Sequence, residues 1–241
     1  MADYLSGLLT AWAAAQLGLS VFFMLAYFLG RRELEYFVFS LLCLSLAVGT
    51  AGVAFDYSRS DIESRLLADQ ITHTGMILGG AFNLHFAVSL ARLPTGRFRP
   101  LWLYVVAGFY VLLLWLGPWW QSESPPKVVE ALLFGEPVVH VLRLATWLGK
   151  SFYVVAALET AAAAAVLVSA YRAGQREVGS AIIGILCILP AVGNDGALAL
   201  GSINGAVPLL PHAFLLYAFG VAGTLLLRYR VGKDELEAAA R

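Results

Sequence analysis

The chain has 241 residues, of which 60% are hydrophobic and only 13% are charged, and its mean hydropathy is +0.76. A soluble domain is usually about half apolar and about one quarter charged, so this chain has too little polar surface to face water. The formal net charge is zero, and only the placement of the charges therefore carries information about orientation and partners.

Seven apolar stretches follow one another along the chain, and each is long enough to cross a bilayer as a helix. They are too long for buried strands, and only helices satisfy their own backbone hydrogen bonds within lipid. We therefore predict an all-α membrane protein, a seven-transmembrane-helix bundle without a soluble catalytic domain. The predicted spans cover residues 5–29, 36–55, 66–91, 101–116, 147–171, 180–200 and 209–227.

The segments between the spans have three notable features. Trp119 and Trp120 follow the fourth span, an aromatic pair typical of the headgroup zone. The longest loop, residues 121–143, contains an amphipathic piece around Val128–Leu133. In the third span, Gly75 and Gly79 are spaced for close approach to a neighbouring helix.

The basic residues predict the orientation of the bundle. Eleven of the sixteen lysines and arginines fall on the side where the first, third, fifth and seventh spans end, and five fall on or near the other. Since positive charge is retained in the cytoplasm, we predict an N-terminus outside and a cytoplasmic C-terminus. The residues on the positive side are Arg31, Arg32, Arg92, Arg97, Arg99, Arg172, Arg176, Arg228, Arg230, Lys233 and Arg241.

Two segments make up the chain in this interpretation. Residues 1–230 form the seven-helix transmembrane domain, and residues 231–241 are the cytoplasmic start of a signalling helix. The tail consists of strong helix formers apart from Gly232. A frayed polar end that only anchors the last span is the alternative.

Ionisable residues at membrane depth cost at least a few kcal/mol, so each one needs an explanation. Six polar residues from the third, fifth, sixth and seventh spans fall in the outer half of the membrane, which indicates a shared polar pocket. Alternatively, these groups satisfy one another and hold the bundle together, or extend to the interface. The six predicted ligand-binding residues are Asp69, His73, Lys150, Asn194, Asp195 and His212.

Position along the helices refines this site. Asp69 and His73 are four residues apart and share one helix face, where they can pair directly. Asp195 follows Pro190 by five residues, and the proline ring removes a helical hydrogen bond and favours a kink. A kink beside a carboxylate indicates a hinge or a ligand contact.

Several kinds of chemistry find little support in the sequence. The candidate residues are types that zinc accepts, but no HxxxH or HExxH pair is present, so we predict no metal site and no cofactor. The seventh span contains no lysine that a retinal could modify. Cys43 and Cys187 both lie within spans and predict buried side chains instead of a disulfide. No feature indicates nucleic-acid binding.

Three stretches together resemble a known family. They are Thr74–Val88 with the following Thr95-Gly96-Arg97, then Ile188–Asp195, and finally Leu227–Val231. This combination resembles the N-terminal seven-helix sensor region of bacterial histidine kinases and diguanylate cyclases. The resemblance implies a receptor in the bacterial inner (plasma) membrane, with a ligand in the outer half of the bundle. It also implies that the seventh helix continues into a cytoplasmic signalling helix, although this chain carries no output domain.

The interpretation that we favour is a sensory receptor without enzymatic activity of its own. It would bind a small molecule or a lipid within the lipid bilayer and act on a cytoplasmic output domain or partner protein, and a homodimer is one possible assembly. One alternative is an intramembrane metal-dependent hydrolase that uses His73, His212, Asp69 and Asp195. Another is a small-molecule transporter with a midplane site around Glu159 and Asp195.

Overall fold

The structure is a computed structural model that describes residues 2–30, 32–92, 100–117, 127–133, 136–142, 146–200, 202 and 208–239. The described part of the chain contains seven α-helices in the predicted order. They are α1 (Ala2–Leu29), α2 (Leu34–Ser58), α3 (Ile62–Leu90), α4 (Leu101–Trp115), α5 (Trp147–Arg172), α6 (Gly179–Ala199) and α7 (Leu210–Ala239).

Five of these helices are long and apolar enough to cross a membrane, namely α1, α2, α5, α6 and α7. α4 is apolar but has only 15 residues, which is about 22 Å of helix and short for a hydrocarbon core of about 30 Å. α3 has 29 residues but carries Glu63, Arg65 and Asp69 in its first third. The length and composition of these five helices thus support a multi-pass membrane protein.

The helices pack as a ring with one helix outside it. α2 lies between α1 and α3, α3 also contacts α5, and α6 lies between α5 and α7. The ring closes because α7 contacts both α1 and α2, while α4 packs against α3. This places α3, α5, α6 and α7, the helices with the predicted site residues, next to one another.

Glycines set the close contact between α2 and α3. A Cβ atom on Gly75 would lie 2.3 Å from the backbone nitrogen of Gly49, and one on Gly52 would lie 2.6 Å from the backbone nitrogen of Thr72. Gly79, by contrast, has room for a Cβ at ordinary contact distance. The prediction of close helix approach is thus confirmed at Gly75, because only glycine lets the two backbones touch.

The outer surface of the bundle is apolar. Large hydrophobic side chains remain exposed on several helices, among them Phe22 on α1, Val105 on α4, Leu158 on α5 and Ile183 on α6. Such a continuous exposed apolar surface is unusual for a protein in water and matches the lipid-facing surface of a membrane bundle. α2 is the most enclosed helix, with 72% of its central segment buried inside the bundle.

The ends of two helices are stabilised by local side chains. Asp61 accepts a hydrogen bond of 2.7 Å from the backbone amide of Ser64 and caps α3. Because its carboxylate form receives this bond and one from the Ser64 hydroxyl, the pKa of Asp61 is lowered. Thr146 caps α5 in the same way, through the amide of Gly149.

The loop between α4 and α5 differs from the all-α prediction. It contains an antiparallel hairpin of β1 (Lys127–Leu133) and β2 (Glu136–Leu142), in which Val128 pairs with Val141. The amphipathic piece around Val128–Leu133 is therefore a strand, and its partner lies just beyond it in the sequence. The alternation of apolar and polar residues in one short segment does not by itself show which other segment pairs with it.

The described part of the C-terminal tail is helical. α7 continues as one helix to Ala239, which agrees with the prediction of a continuing helix over the frayed alternative. Other features of the sequence interpretation lie outside the described residues. These are the motif Thr95-Gly96-Arg97, the pair Trp119–Trp120, and the basic residues Arg31, Arg97, Arg99, Arg143 and Arg241.

Candidate functional site

His73 connects α3 to α5. Its Nδ1 lies 3.1 Å from Oδ1 of Asp69 and 2.9 Å from the Asp69 backbone oxygen, and its Nε2 lies 2.8 Å from the hydroxyl of Tyr153. A backbone carbonyl only accepts, so Nδ1 is the donor nitrogen and a neutral ring then accepts at Nε2 from the tyrosine. The predicted Asp69–His73 pair is present, and it is extended to a second helix.

Asp195 connects α6 to the start of α7. Its Oδ1 accepts hydrogen bonds from the backbone amide of Leu209 at 2.7 Å and from the Asn194 side chain at 2.8 Å. Its Oδ2 accepts from the backbone amide of Leu210 at 3.1 Å. The first amides of a helix have no partner within the helix and favour negative charge, so Asp195 acts as a cap supplied by the neighbouring helix.

These two groups face a common region of the bundle. Tyr153 on α5 is bonded to His73, and it lines the same interior cavity as Leu210, whose backbone amide is bonded to Asp195. Four of the six predicted residues, in bonded pairs from α3 and α6, therefore lie around one region of the bundle. Tyr153 belongs to this site as well.

The other two predicted residues lie apart. The ring of His212 packs edge-on against Trp12 of α1, with 4.8 Å between the ring centroids. Lys150 is exposed at the start of α5, where it lines a groove on the outside of the bundle. The six residues thus form one central group of four and two separate positions.

A small cavity lies beside the central group. Its volume is about 50 Å³, and it is lined by residues of α2, α3, α5, α6 and α7, with Tyr153, Asn83, Thr160 and Tyr217 as its polar side chains. A water molecule needs roughly 10–15 Å³ on this measure, so the cavity has room for a few waters. Sites for drug-sized molecules are typically about 300–1,000 Å³, which makes this interior space too small for such a ligand.

Two further hydrogen bonds join α3 to its neighbours below this region. The Tyr217 hydroxyl donates to Oδ1 of Asn83, which ties α7 to α3 within the core. His85 Nδ1 and the Tyr104 hydroxyl form a second pair, between α3 and α4. Polar residues of α3 therefore bond to three neighbouring helices, α4, α5 and α7.

Glu159 is buried in α5 and packs against α3. Its carboxylate lies so close to Gly80 that a Cβ atom there would be 2.4 Å from Oε2. No hydrogen bond to Glu159 occurs among the residues that the structure describes. Gly80 also lines the small cavity, so this carboxylate lies next to it.

Arg228 holds α7 to the bundle at a second point, eleven residues before the helix ends at Ala239. Its Nη1 lies 3.4 Å from Oε1 of Glu35 at the start of α2, and its Nη2 lies 3.1 Å from Oε1 of Glu177 and 3.2 Å from Oε1 of Gln175. Gln175 in turn donates to the backbone oxygen of Ala91, at the end of α3. One arginine therefore links α7 to α2 and to the α5–α6 connection.

The sequence interpretation missed Tyr153 and the Arg228 group. Tyrosine is common in membrane helices, and only its distance to His73 shows that Tyr153 is part of a polar network. Arg228 was treated as one of many basic residues that mark the cytoplasmic side. Its pairing with Glu35 joins residues 193 positions apart, which no local pattern indicates.

Within the described ranges, no three histidine, cysteine, aspartate or glutamate side chains lie close enough together to hold a metal ion.

No protein-family model matches this chain, and no curated protein matches it either. The candidate site therefore rests on the geometry of its own side chains.

Proposed function

We propose that this chain is a membrane sensory receptor that binds its ligand in the outer half of the bundle and signals through α7. The observation that carries the proposal is the attachment of α7 to the rest of the fold at two points through charged side chains. Asp195 of α6 binds the amides at its start, and Arg228 of α7 itself binds Glu35 and Glu177, eleven residues before the helix ends. A change at the first attachment is thus transmitted along one continuous helix of 30 residues.

The contact of Asp195 with the start of α7, here called the outer attachment, lies next to polar groups that a ligand would bind. Asp195 is bonded to the amide of Leu210, and Leu210 lines the same interior cavity as Tyr153, the partner of His73 on another helix. A ligand that competes for any of these polar groups alters the hydrogen bonds that position the start of α7. Binding then shifts the equilibrium between two arrangements of α7. The size of the shift is set by the difference between the ligand's affinities for the two arrangements.

A distance measurement across the cytoplasmic ends of the helices tests the receptor. Spin labels at Ala173→Cys, after α5, and Tyr229→Cys, on α7, occupy exposed positions, and Cys43 and Cys187 are replaced by alanine. In nanodiscs, we expect His73→Ala and Asp195→Asn each to change the distance distribution between the labels, since both alter the outer attachment.

His85→Ala provides the matched control for this measurement. It removes a histidine–tyrosine pair on the same helix, between α3 and α4, where α7 takes no part. We expect its distance distribution to equal that of the parent. Unchanged distributions in both outer-site variants would exclude transmission through α7.

The proposed topology has seven crossings, with the N-terminus outside and α7 ending in the cytoplasm of a bacterial cell. Ser60 in the α2–α3 connection and Ala173 after α5 are exposed and lie on opposite sides in this topology. In intact cells, an impermeant thiol reagent is expected to label Ser60→Cys and to leave Ala173→Cys unlabelled until the membrane is opened. The reverse pattern would invert the orientation and with it the direction of signalling.

Transport is a second candidate function, favoured by Glu159. A buried carboxylate beside a small interior cavity with a few polar side chains is a feature of proton and cation pathways. Proteoliposomes with a pH-sensitive dye inside test this directly: proton or cation flux that Glu159→Gln abolishes would favour the transporter. Flux equal to that of empty liposomes would favour the receptor.

A further inference from the structure

A long groove runs along the outside of the bundle between α5 and α6. It has a volume of about 750 Å³, more than ten times that of the interior cavity. Small residues form its floor, among them Ala157 and Ala161 on α5 and Gly193 and Gly196 on α6. Because these side chains are short, the two helices leave a channel between them that opens towards the lipid.

The groove has one polar end and one apolar end. Lys150 and Ser202 line the end formed by the start of α5 and the residues after α6. Leu158, Ala161 and Leu189 line the opposite end. Lys150 is exposed there, and among the described residues no acidic side chain pairs with it.

The length of the groove matches one leaflet of a bilayer. The α5 wall runs from Lys150 to Ala161, which is eleven helical steps or about 16 Å of helix. Half of a hydrocarbon core of about 30 Å is about 15 Å. An ammonium group at the headgroup end of an apolar channel with this length complements an anionic lipid of the outer leaflet, with one acyl chain along the channel.

The groove also contacts the polar site. Tyr153 and Val192 line both the groove and the interior cavity, so they form a shared wall. The hydroxyl of the same Tyr153 bonds to His73. A chain lying in the groove therefore presses on a side chain that belongs to the outer network.

We infer that the ligand of the proposed receptor is an anionic phospholipid of the outer leaflet, held with its headgroup at Lys150 and one acyl chain in the α5–α6 groove. This inference rests on the receptor function proposed above for its signalling consequence, but lipid binding itself is measurable without it. The groove is the larger of the two spaces beside the site, because the interior cavity has a volume of only about 50 Å³.

Native mass spectrometry of the full chain tests this site, with phosphatidylglycerol and phosphatidylcholine of identical chains supplied in equal amounts. The wild-type protein is expected to retain phosphatidylglycerol preferentially. Lys150→Gln should reduce that preference about fivefold, because one lysine contributes about that factor to binding an anionic headgroup. A full preference in this variant would overturn the assignment of the headgroup end.

Groove-filling variants test the acyl-chain end. Gly193 lines the groove and a Cβ there meets no atom within 4 Å, so Gly193→Leu extends a side chain into the groove from an open position. Displacing two methylene groups of a bound chain should weaken retention of both lipids about tenfold. Ala157→Leu, at an exposed position of the facing helix, should do the same and decides the test if Gly193→Leu does not fold.

Gly18→Leu on α1 is the matched control, since Gly18 is exposed and also has no atom near its Cβ position. It should retain both lipids as the wild type does. Retention at wild-type level in the groove-filling variants would overturn the inference. The signalling consequence is tested separately in the wild-type bundle that carries the spin labels at positions 173 and 229. If this protein retains phosphatidylglycerol as expected but its label distances are the same in phosphatidylglycerol and phosphatidylcholine nanodiscs, the lipid site stands and the lipid is excluded as the signal.

Discussion

Asp195 on α6 accepts a hydrogen bond of 2.7 Å from the backbone amide of Leu209, directly before α7 begins. The carboxylate is buried, and its second oxygen bonds to the next amide along the chain. A buried charge is costly unless it is compensated, and here a helix start with unpaired amides supplies the compensation. The hydrogen bonds that compensate the buried Asp195 carboxylate therefore also hold the start of α7 in position.

Asp195→Ala is expected to destabilise the bundle by about 2 kcal/mol, because it leaves two amides at the helix start without an acceptor. Asp195→Asn should cost roughly half as much, since one oxygen still accepts. The free energy of unfolding in mixed micelles, followed by circular dichroism, measures both. Asn194→Ala removes a donor to Asp195 but leaves both amides with their acceptor, so it should cost less than Asp195→Ala; an unchanged value for Asp195→Ala would contradict the capping role.

The contact of Gly75 with Gly49 predicts a second stability effect. A methyl group at Gly75 meets backbone atoms of α2, which move only if the helices separate, so Gly75→Ala should cost about 1–3 kcal/mol. Gly18→Ala is the control, because no atom lies within 4 Å of that position and alanine is the better helix former. Equal melting temperatures for Gly75→Ala and the wild type would show that the helices do not cross as closely as described.

The limits of the sequence are visible in these same residues. Gly75 was identified as a packing residue from its spacing, but Gly49, the residue that it contacts, lies on another helix whose rotation depends on the whole bundle. The seven helices follow from apolar runs, which are local properties of the chain. The β1–β2 hairpin was not predicted, because its stability comes from pairing across the turn.

The residues of the candidate site were also predictable from the sequence only in part. Asp69, His73, Asn194 and Asp195 were recognised because a charged or polar side chain in an apolar run needs a reason. Asp195 was expected at a hinge or a ligand, whereas the structure places its carboxylate on the amides of α7. Lys150 and His212 share the depth of the others but point to other surroundings, since depth along a helix does not specify its face.

Coupling between His73 and Tyr153 is expected to be measurable in a double-mutant cycle. The bond of 2.8 Å between Nε2 and the tyrosine hydroxyl joins α3 to α5, so His73→Ala and Tyr153→Phe should show an interaction free energy of about 1 kcal/mol in unfolding. His85→Ala combined with Tyr153→Phe is the control cycle and should be additive, because His85 bonds to Tyr104 instead. Additivity in the first cycle would mean that the bond contributes nothing.

The exposure of the two carboxylates that bind Arg228 predicts which of them contributes more to stability. The Glu35 side chain is 10% exposed and that of Glu177 is 36% exposed, so water weakens the second pair far more than the first. Arg228→Gln should therefore cost about 2 kcal/mol, mainly by leaving the Glu35 carboxylate buried without its cation. Glu35→Gln added to Arg228→Gln should restore part of this loss, whereas Glu177→Gln added to the same variant should restore little.

Arg230→Gln is the matched control for Arg228, since Arg230 lies one half-turn away on the same helix and is exposed. Its free energy of unfolding should equal that of the wild type. If Arg228→Gln behaved like Arg230→Gln, or if Glu177→Gln restored as much as Glu35→Gln, the arginine would not hold α7 to the start of α2. A separate consequence concerns signalling: because this attachment opposes movement of α7, Arg228→Gln should broaden the distance distribution between labels at positions 173 and 229 without any change at His73.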